Sequence, residues 1–217
     1  MKNRKPETEI ERKMVEVLCA KMSDDEDFLI GVMAFLENDD ERQAMIDEIN
    51  NGSVKTPSDA LLFAVQIDKD RQVDDFYSTA VELCEYIREE EISEKSIDYL
   101  LSALMNLYAS ALELPHIEPE TEDIQNSPER NPLNVKFHKD FPTSYNLFFN
   151  PIKDEAPVCG DLLCDLRDIV TDLQRGIDEY EAGNTGNAVF EWSFGLSAHW
   201  GQHAVDAMKV LHTIRNN

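Results

Sequence analysis

Two histidines and an aspartate lie close together near the end of this 217-residue chain, with a spacing that could support chemistry. His199 and His203 are followed by Asp206 within two helical turns. If this segment is helical, the three side chains lie along one narrow stripe, because residues three and four apart share a face of an α-helix. Such a stripe can bind a metal ion, move a proton, or form hydrogen bonds inside a helical core.

A row of aspartates precedes this segment and follows the same spacing rule. Asp161, Asp165, Asp168 and Asp172 fall on one face of a predicted helix. Carboxylates stacked in this way repel each other, so we expect arginines, protonated histidines or a bound cation to face them. A tight turn near residues 183–184 should place this helix beside the last one, so that the aspartates meet the histidines.

Two interpretations of these facing groups stay open. As metal ligands, His199 and His203 would be joined by Asp206, Asp165 or Asp168 around a divalent ion, with one position left for an activated water and hydrolysis. The His-x3-His spacing is a weak motif, because no Glu follows the first His as it does in zinc proteases. The favoured interpretation is a hydrogen-bond network without a cofactor that holds the two helices in register, because buried polar groups must be paired.

The composition predicts a soluble globular protein with an acidic surface. The chain carries 44 acidic and 20 basic residues, a formal net charge of -24. This charge disfavours nucleic acid and anionic membranes as partners, and it favours a basic protein partner or none. We expect a cytoplasmic protein, because the sequence shows no signal peptide and no apolar run of about 20 residues. The four cysteines form no Cys-x-x-Cys motif and are predicted to be core or surface thiols.

Apolar residues recur at helical spacing almost throughout, which predicts an all-α fold. Residues 1–70 are expected to form a small helical N-terminal unit. Within it, Ser23 is predicted to cap a helix, Asn38 to cap the next, and Gly52 to end that one. Pro57 then fits the first position of a further helix.

Residues 73–217 are predicted to form an antiparallel bundle of about four long helices, after a charged boundary at residues 68–71. The predicted helices cover about residues 73–91, 93–114, 161–181 and 184–214, and a bend at Gly195 or Gly201 is expected in the last one, because glycine weakens a helix interior.

Between the second and third of these helices, residues 115–145 contain five prolines and a cluster of acidic residues, which predicts a long loop. The aromatic and apolar residues after this loop are expected to form one short helical turn on the core: Tyr145, Leu147, Phe148 and Phe149. Three aromatic residues of the last predicted helix are expected in the core: Trp192, Phe194 and Trp200.

Three segments of the second unit carry a resemblance to a known family. They are the run at residues 160–169, the triplet Trp192-Ser193-Phe194, and the segment from His199 to Ala207. Over about residues 73–217 the chain resembles the bacterial domain of unknown function 5063, and residues 1–72 are not covered. The resemblance implies an all-helical domain and groups the aspartates with the His-Trp-Gly-x-His segment, but it transfers no activity and no catalytic residue.

The sequence therefore favours a non-enzymatic protein-interaction module. The acidic charge supports it, and the sequence shows neither a glycine-rich phosphate loop nor a nucleophile elbow. The alternative is a metal-binding domain or a metal-dependent hydrolase that uses the two histidines and the neighbouring aspartates.

Overall fold

Helices make up most of the described chain, as the spacing of its apolar residues predicts. The structure is a computed structural model that describes residues 8–115, 117, 133–148, 152 and 156–216. The helices in this part of the chain are α1 Glu9–Lys21, α2 Glu26–Phe35, α3 Asp39–Asn51, α4 Pro57–Glu89, α5 Ile97–Glu113, α6 Leu162–Glu181, α7 Thr185–Ala198 and α8 Trp200–Arg215. The strands are β1 Glu91–Ile92, β2 Lys136–Phe137, β3 Ser144–Leu147 and β4 Val158–Asp161.

The chain divides into two compact units, residues 1–72 and 73–217. The division falls directly after the predicted boundary at residues 68–71, but helix α4 runs through it without a break, so the predicted start of a new helix at residue 73 is wrong. The charged residues there belong to a helix. Arg71 pairs with Asp68 one turn earlier and with Glu41 of α3 at 3.0 Å.

In the first unit, local capping bonds explain where the helices begin. The side chain of Asn38 caps α3 and that of Glu41 bonds back to the Asn38 N–H, while Gly52 ends the helix at a φ of 85°. Both predicted ends of α3 are confirmed. The predicted cap of α2 at Ser23 is wrong, because Asp25 accepts the capping bond. Buried apolar residues of α1, α2 and α3 form the core of this unit, among them Met14, Leu18, Val32, Met45 and Ile46.

Helix α6 lies at the centre of the helix packing in the second unit. Helix α6 contacts both α7 and α8, and α5 contacts α7 and α8. Trp192 of α7 and Trp200 of α8 are fully buried, as predicted, and Phe76 of α4 packs on both rings. Each indole N–H donates to a backbone carbonyl, that of Trp192 to Leu173 and that of Trp200 to Trp192, both at 3.0 Å.

Short strands replace part of the predicted loop and the predicted helical turn. Strands β1 and β2 pair in parallel, and β3 and β4 form an antiparallel ladder in which Tyr145 faces Gly160. The predicted helical turn around Tyr145 and Leu147 is therefore wrong, because both residues lie in strand β3, where they occupy its half-buried positions. Residues 116 and 118–132 of the predicted loop lie outside the described residues. Phe149 of the predicted helical turn also lies outside them.

No helix in the described part of the chain is both long and apolar enough to pass through a membrane.

The approach of α6 to α7 depends on one residue without a side chain. A Cβ atom placed on Gly176 would lie 2.1 Å from Nε1 of Trp192, the atom that donates to Leu173. Any larger residue must therefore push the indole out of its buried position and stretch that hydrogen bond.

We expect Gly176→Ala to lower the free energy of unfolding by about 1–3 kcal/mol because of this overpacking. Gly31→Ala is the control, since that Cβ would meet only Leu61 at an ordinary 3.5 Å, and helix α2 should gain about 0.5–1 kcal/mol. Urea denaturation followed by circular dichroism measures both. Equal effects of the two substitutions would contradict this account of the packing.

Candidate metal centre

The aspartates of α6 face the end of α7 and the first turns of α8. Asp161 caps α6 through a 2.9 Å bond from the Leu163 N–H, so its carboxylate belongs to the helix end. Asp165, Asp168 and Asp172 continue along the helix toward the histidines. The predicted meeting of the aspartates and the imidazoles is present in the structure.

His199 does not lie within a helix, because the single helix predicted over residues 184–214 is divided at this residue. Its φ of -152° and ψ of -78° end α7 and begin α8. The sharp junction depends on Gly201, where a Cβ would lie 2.0 Å from the Leu196 carbonyl oxygen. The predicted stripe of three residues on one helix is therefore wrong for His199, which reaches α6 from the junction.

His203 is held by a buried carboxylate on α6. Its Nδ1 lies 2.8 Å from Oδ1 of Asp165, a residue only 5% exposed. The hydroxyl of Tyr145 on β3 donates to the other oxygen of the same carboxylate at 2.6 Å. Because both oxygens of Asp165 are engaged, this carboxylate orients His203 and leaves the Nε2 atom of the ring available.

His199 repeats this arrangement about two turns further along α6, at Asp172. Its Nδ1 lies 2.6 Å from Oδ2 of Asp172, while Arg175 donates to Oδ1 of the same buried carboxylate at 3.1 Å. The His199 ring is 53% exposed, so its free edge is open to solvent. The two imidazoles stand edge to face with their centroids 4.8 Å apart.

Asp168 lies between the two anchored histidines. Its Oδ2 is 3.7 Å from Nε2 of His203, and its other oxygen is 3.9 Å from Nε of Arg167. One ligand atom each from Asp168, His199 and His203 lies within 4.8 Å of the others, and within the described residues this is the group that could hold a metal ion.

Asp206 takes a different place from the one predicted. It is buried, and it accepts a 2.9 Å hydrogen bond from Nε2 of Gln202 on its own helix. It lies outside the group that could hold a metal, although its charge helps to raise the pKa of His203. Helical spacing placed it on one stripe with both histidines, but α8 begins after His199, so Asp206 shares a helix only with His203.

The buried carboxylates shift the titration of their partners. The hydrogen bond from His203 to Asp165 raises the pKa of that imidazole, and burial opposes the rise only in part. Burial raises the pKa of Tyr145 well above its usual range, and the bond to Asp165 adds to the effect. Tyr145 therefore stays protonated and keeps donating its hydrogen bond.

A cleft opens beside His199, between the end of α6 and the exposed side of α7. It has a volume of about 450 Å³ and is lined by Arg175, Glu191 and a pair of phenylalanines. One of them, Phe194, is 58% exposed, so its predicted place in the core is wrong. It stacks on Phe190 of the same helix, which gives the cleft an aromatic wall.

Two residues of the site were not among the predicted ligands. Asp172 carries the same spacing signal as Asp165, so the sequence could have assigned it. Tyr145 gave no such signal, because only the β3–β4 pairing brings it to α6.

A comparison with protein families identifies the family to which most of this chain belongs. The family described as a domain of unknown function (DUF5063) matches residues 67–217, which confirms the suspected resemblance. A solved structure, protein BF1032 from Bacteroides fragilis, is similar with 20% sequence identity and a TM-score of 0.48, covering 67% of this chain and 93% of that one. None of the curated proteins matches the chain.

The raised pKa of His203 predicts a pH-dependent stability in metal-free protein. The folded state favours the protonated ring, so its contribution is fully present below the unfolded pKa, about 6.5, and is lost as the pH rises through the higher folded pKa. The difference in unfolding free energy between wild type and His203→Gln should shrink across that interval. Chemical denaturation with a chelator present, with the exposed His212→Gln as control, measures it. A difference that stays constant with pH would contradict the pairing.

Proposed function

The chain belongs to the DUF5063 family of domains of unknown function, and we propose from the geometry of its own side chains that it binds a divalent transition-metal ion. The ligands are Asp168, His199 and His203. The observation that carries the proposal is that both histidines have Nδ1 bonded to a buried aspartate, which leaves Nε2 of each ring for an ion, and that one ligand atom of each ring lies within 4.8 Å of a third carboxylate, Asp168.

Two carboxylate–histidine pairs are the usual outer support of a metal site. A hydrogen bond donated by Nδ1–H to a carboxylate fixes the ring tautomer and makes Nε2 a better ligand. Asp165 and Asp172 have this role here, and Tyr145 and Arg175 hold the two carboxylates in turn. The support is thus built from two elements of the fold, α6 and β3, and it holds one histidine from the α7–α8 junction and one from α8.

A purely structural network, the alternative favoured by the sequence, explains less of this geometry. Such a network needs only the two Nδ1 bonds. It leaves Nε2 of His203 at 3.7 Å from Asp168, which is too long for a hydrogen bond. It also leaves the free edge of His199 to solvent alone. An ion between these three groups would engage all of them once the side chains draw together from within 4.8 Å of one another to ligand distances of about 2.0–2.2 Å from the ion.

Two histidines and one carboxylate leave coordination positions open to solvent. Zinc, manganese or iron in such a site can lower the pKa of a bound water and make it a nucleophile, so hydrolysis is the reaction class that the proposal favours. Asp206 and Asp165 were also predicted ligands. In this proposal they would lie in the outer coordination sphere and would not touch the ion.

We also infer that the predicted antiparallel bundle describes the second unit. Its support is the contact of α6 with α7 and α8 and the tight turn at Gly183, whose φ is 85°. The long second part of α4 contributes Phe76, which packs at a tilt on Trp192 of α7, and Tyr77, which stacks on Tyr180 of α6.

The metal proposal predicts about one ion per chain in protein purified without a histidine tag. His203→Ala and Asp168→Ala should abolish stoichiometric binding of zinc, manganese or iron, because each removes a ligand. Asp165→Asn should weaken affinity by about 10- to 100-fold while all three ligands remain. Elemental analysis and calorimetric titration are the measurements.

His212→Ala is the matched control, since it removes an exposed histidine from the same helix. Circular dichroism checks that each variant is folded. Full metal binding by folded His203→Ala and Asp168→Ala protein would refute the site.

A second candidate, a cytoplasmic protein-interaction module without enzymatic activity, is supported by the net charge of -24. It predicts association with a basic probe such as poly-lysine that weakens steeply between about 0.05 and 0.2 M salt, because surface attraction is screened over about 10 Å at 0.1 M. Light scattering across a salt series tests it. Failure to associate at low salt would remove this candidate without touching the metal site.

A further inference from the structure

The cleft beside His199 has features that the metal site does not require. Its volume of about 450 Å³ is within the usual range for small-molecule sites, about 300–1,000 Å³. It lies along α7, and of the three candidate metal ligands only His199 lines it, together with Asp172 and Arg175, which hold that histidine. The wall and the charge of the cleft therefore need their own explanation.

One wall of the cleft is aromatic and exposed. The rings of Phe190 and Phe194 are one helical turn apart, with centroids 5.5 Å apart and planes within 11° of parallel. Phe194 contributes nothing to the core and stays 58% exposed. The faces of aromatic rings attract cations and stack on other rings, so this wall suits a ligand that carries an aromatic group, a positive charge, or both.

The polar side of the cleft carries one uncompensated negative charge. Both oxygens of Asp172 are engaged, by Arg175 and by His199, so this aspartate is balanced. Glu191 is half-buried and makes no hydrogen bond or ion pair with the residues that the structure describes.

The surroundings of Glu191 favour the binding of a cation beside its carboxylate. Burial raises the pKa of Glu191, and the charges of Asp172 and Glu179 add to the rise, while Arg175 offsets part of it. A positively charged ligand would relieve this cost by pairing with the carboxylate. The net charge of -24 attracts cations to the protein and repels anions from it.

We propose that this cleft binds a small organic amine with an aromatic body. Its ammonium group pairs with the Glu191 carboxylate, and its ring lies on Phe190 and Phe194. Binding needs no metal ion, so this proposal stands apart from the function proposed above.

The test uses full-length protein freed of metal with a chelator and four probes: benzylamine, benzyl alcohol, benzoate and methylamine. We expect benzylamine to bind most tightly, because only this probe has both the charge and the ring. Glu191→Gln should weaken benzylamine binding by at least about tenfold, the usual value of a charge-assisted hydrogen bond. Phe194→Ala should weaken it by about three- to tenfold and leave methylamine binding unchanged. Calorimetry or ligand-observed NMR gives these affinities.

Glu113→Gln is the control, because it removes an exposed glutamate of α5 outside the cleft and should change nothing. Three results would overturn the proposal: benzoate or benzyl alcohol binding as tightly as benzylamine, benzylamine affinity unchanged in Glu191→Gln, or no benzylamine binding at all. Because no metal is present, each of these results leaves the metal site unaffected. Loss of metal binding in Asp168→Ala likewise leaves the amine site unaffected.

Discussion

The pairing of two buried carboxylates with two imidazoles is the interaction on which the second unit depends. Asp165 and Asp172 lie in the surface that α6 buries, where an unpaired charge would destabilise the fold by several kcal/mol. His203 and His199 provide the partners from α8 and from the junction before it. The pairs fix the position of α8 along α6, and they also fix which ring nitrogen of each histidine is free.

Several features of the fold serve to bring these groups together. Gly201 allows the chain to turn sharply enough for His199 to reach Asp172, and Gly176 allows α7 to lie close against α6. The β3–β4 ladder brings Tyr145 to the far side of Asp165. The site is therefore held on three sides by backbone geometry, a condition for a metal site whose ligands must be in place before the ion arrives.

The sequence predicted the helices, the row of aspartates and their meeting with the histidines, because helical periodicity and one short turn determine these features. It did not predict the division at His199. Glycine spacing signals a bend, but tertiary contacts decide where it falls. Tertiary contacts also decide two other features that the sequence did not predict. The pairing of β3 with β4 brings Tyr145 to the site, and the rotation of α7 determines the exposure of Phe194. Asp206 was misplaced because α8 begins after His199, so that it shares a helix only with His203.

The tautomers of His199 and His203 test the central claim most directly. Long-range ¹⁵N–¹H NMR on metal-free protein, above the pH at which the rings deprotonate, reports which nitrogen carries the proton. If Asp165 and Asp172 accept from Nδ1, both rings carry the proton on Nδ1, and both Nε2 atoms are free to bind an ion. Protons on Nε2 in both rings would show that the carboxylates do not orient them, and the proposed metal centre would have no basis.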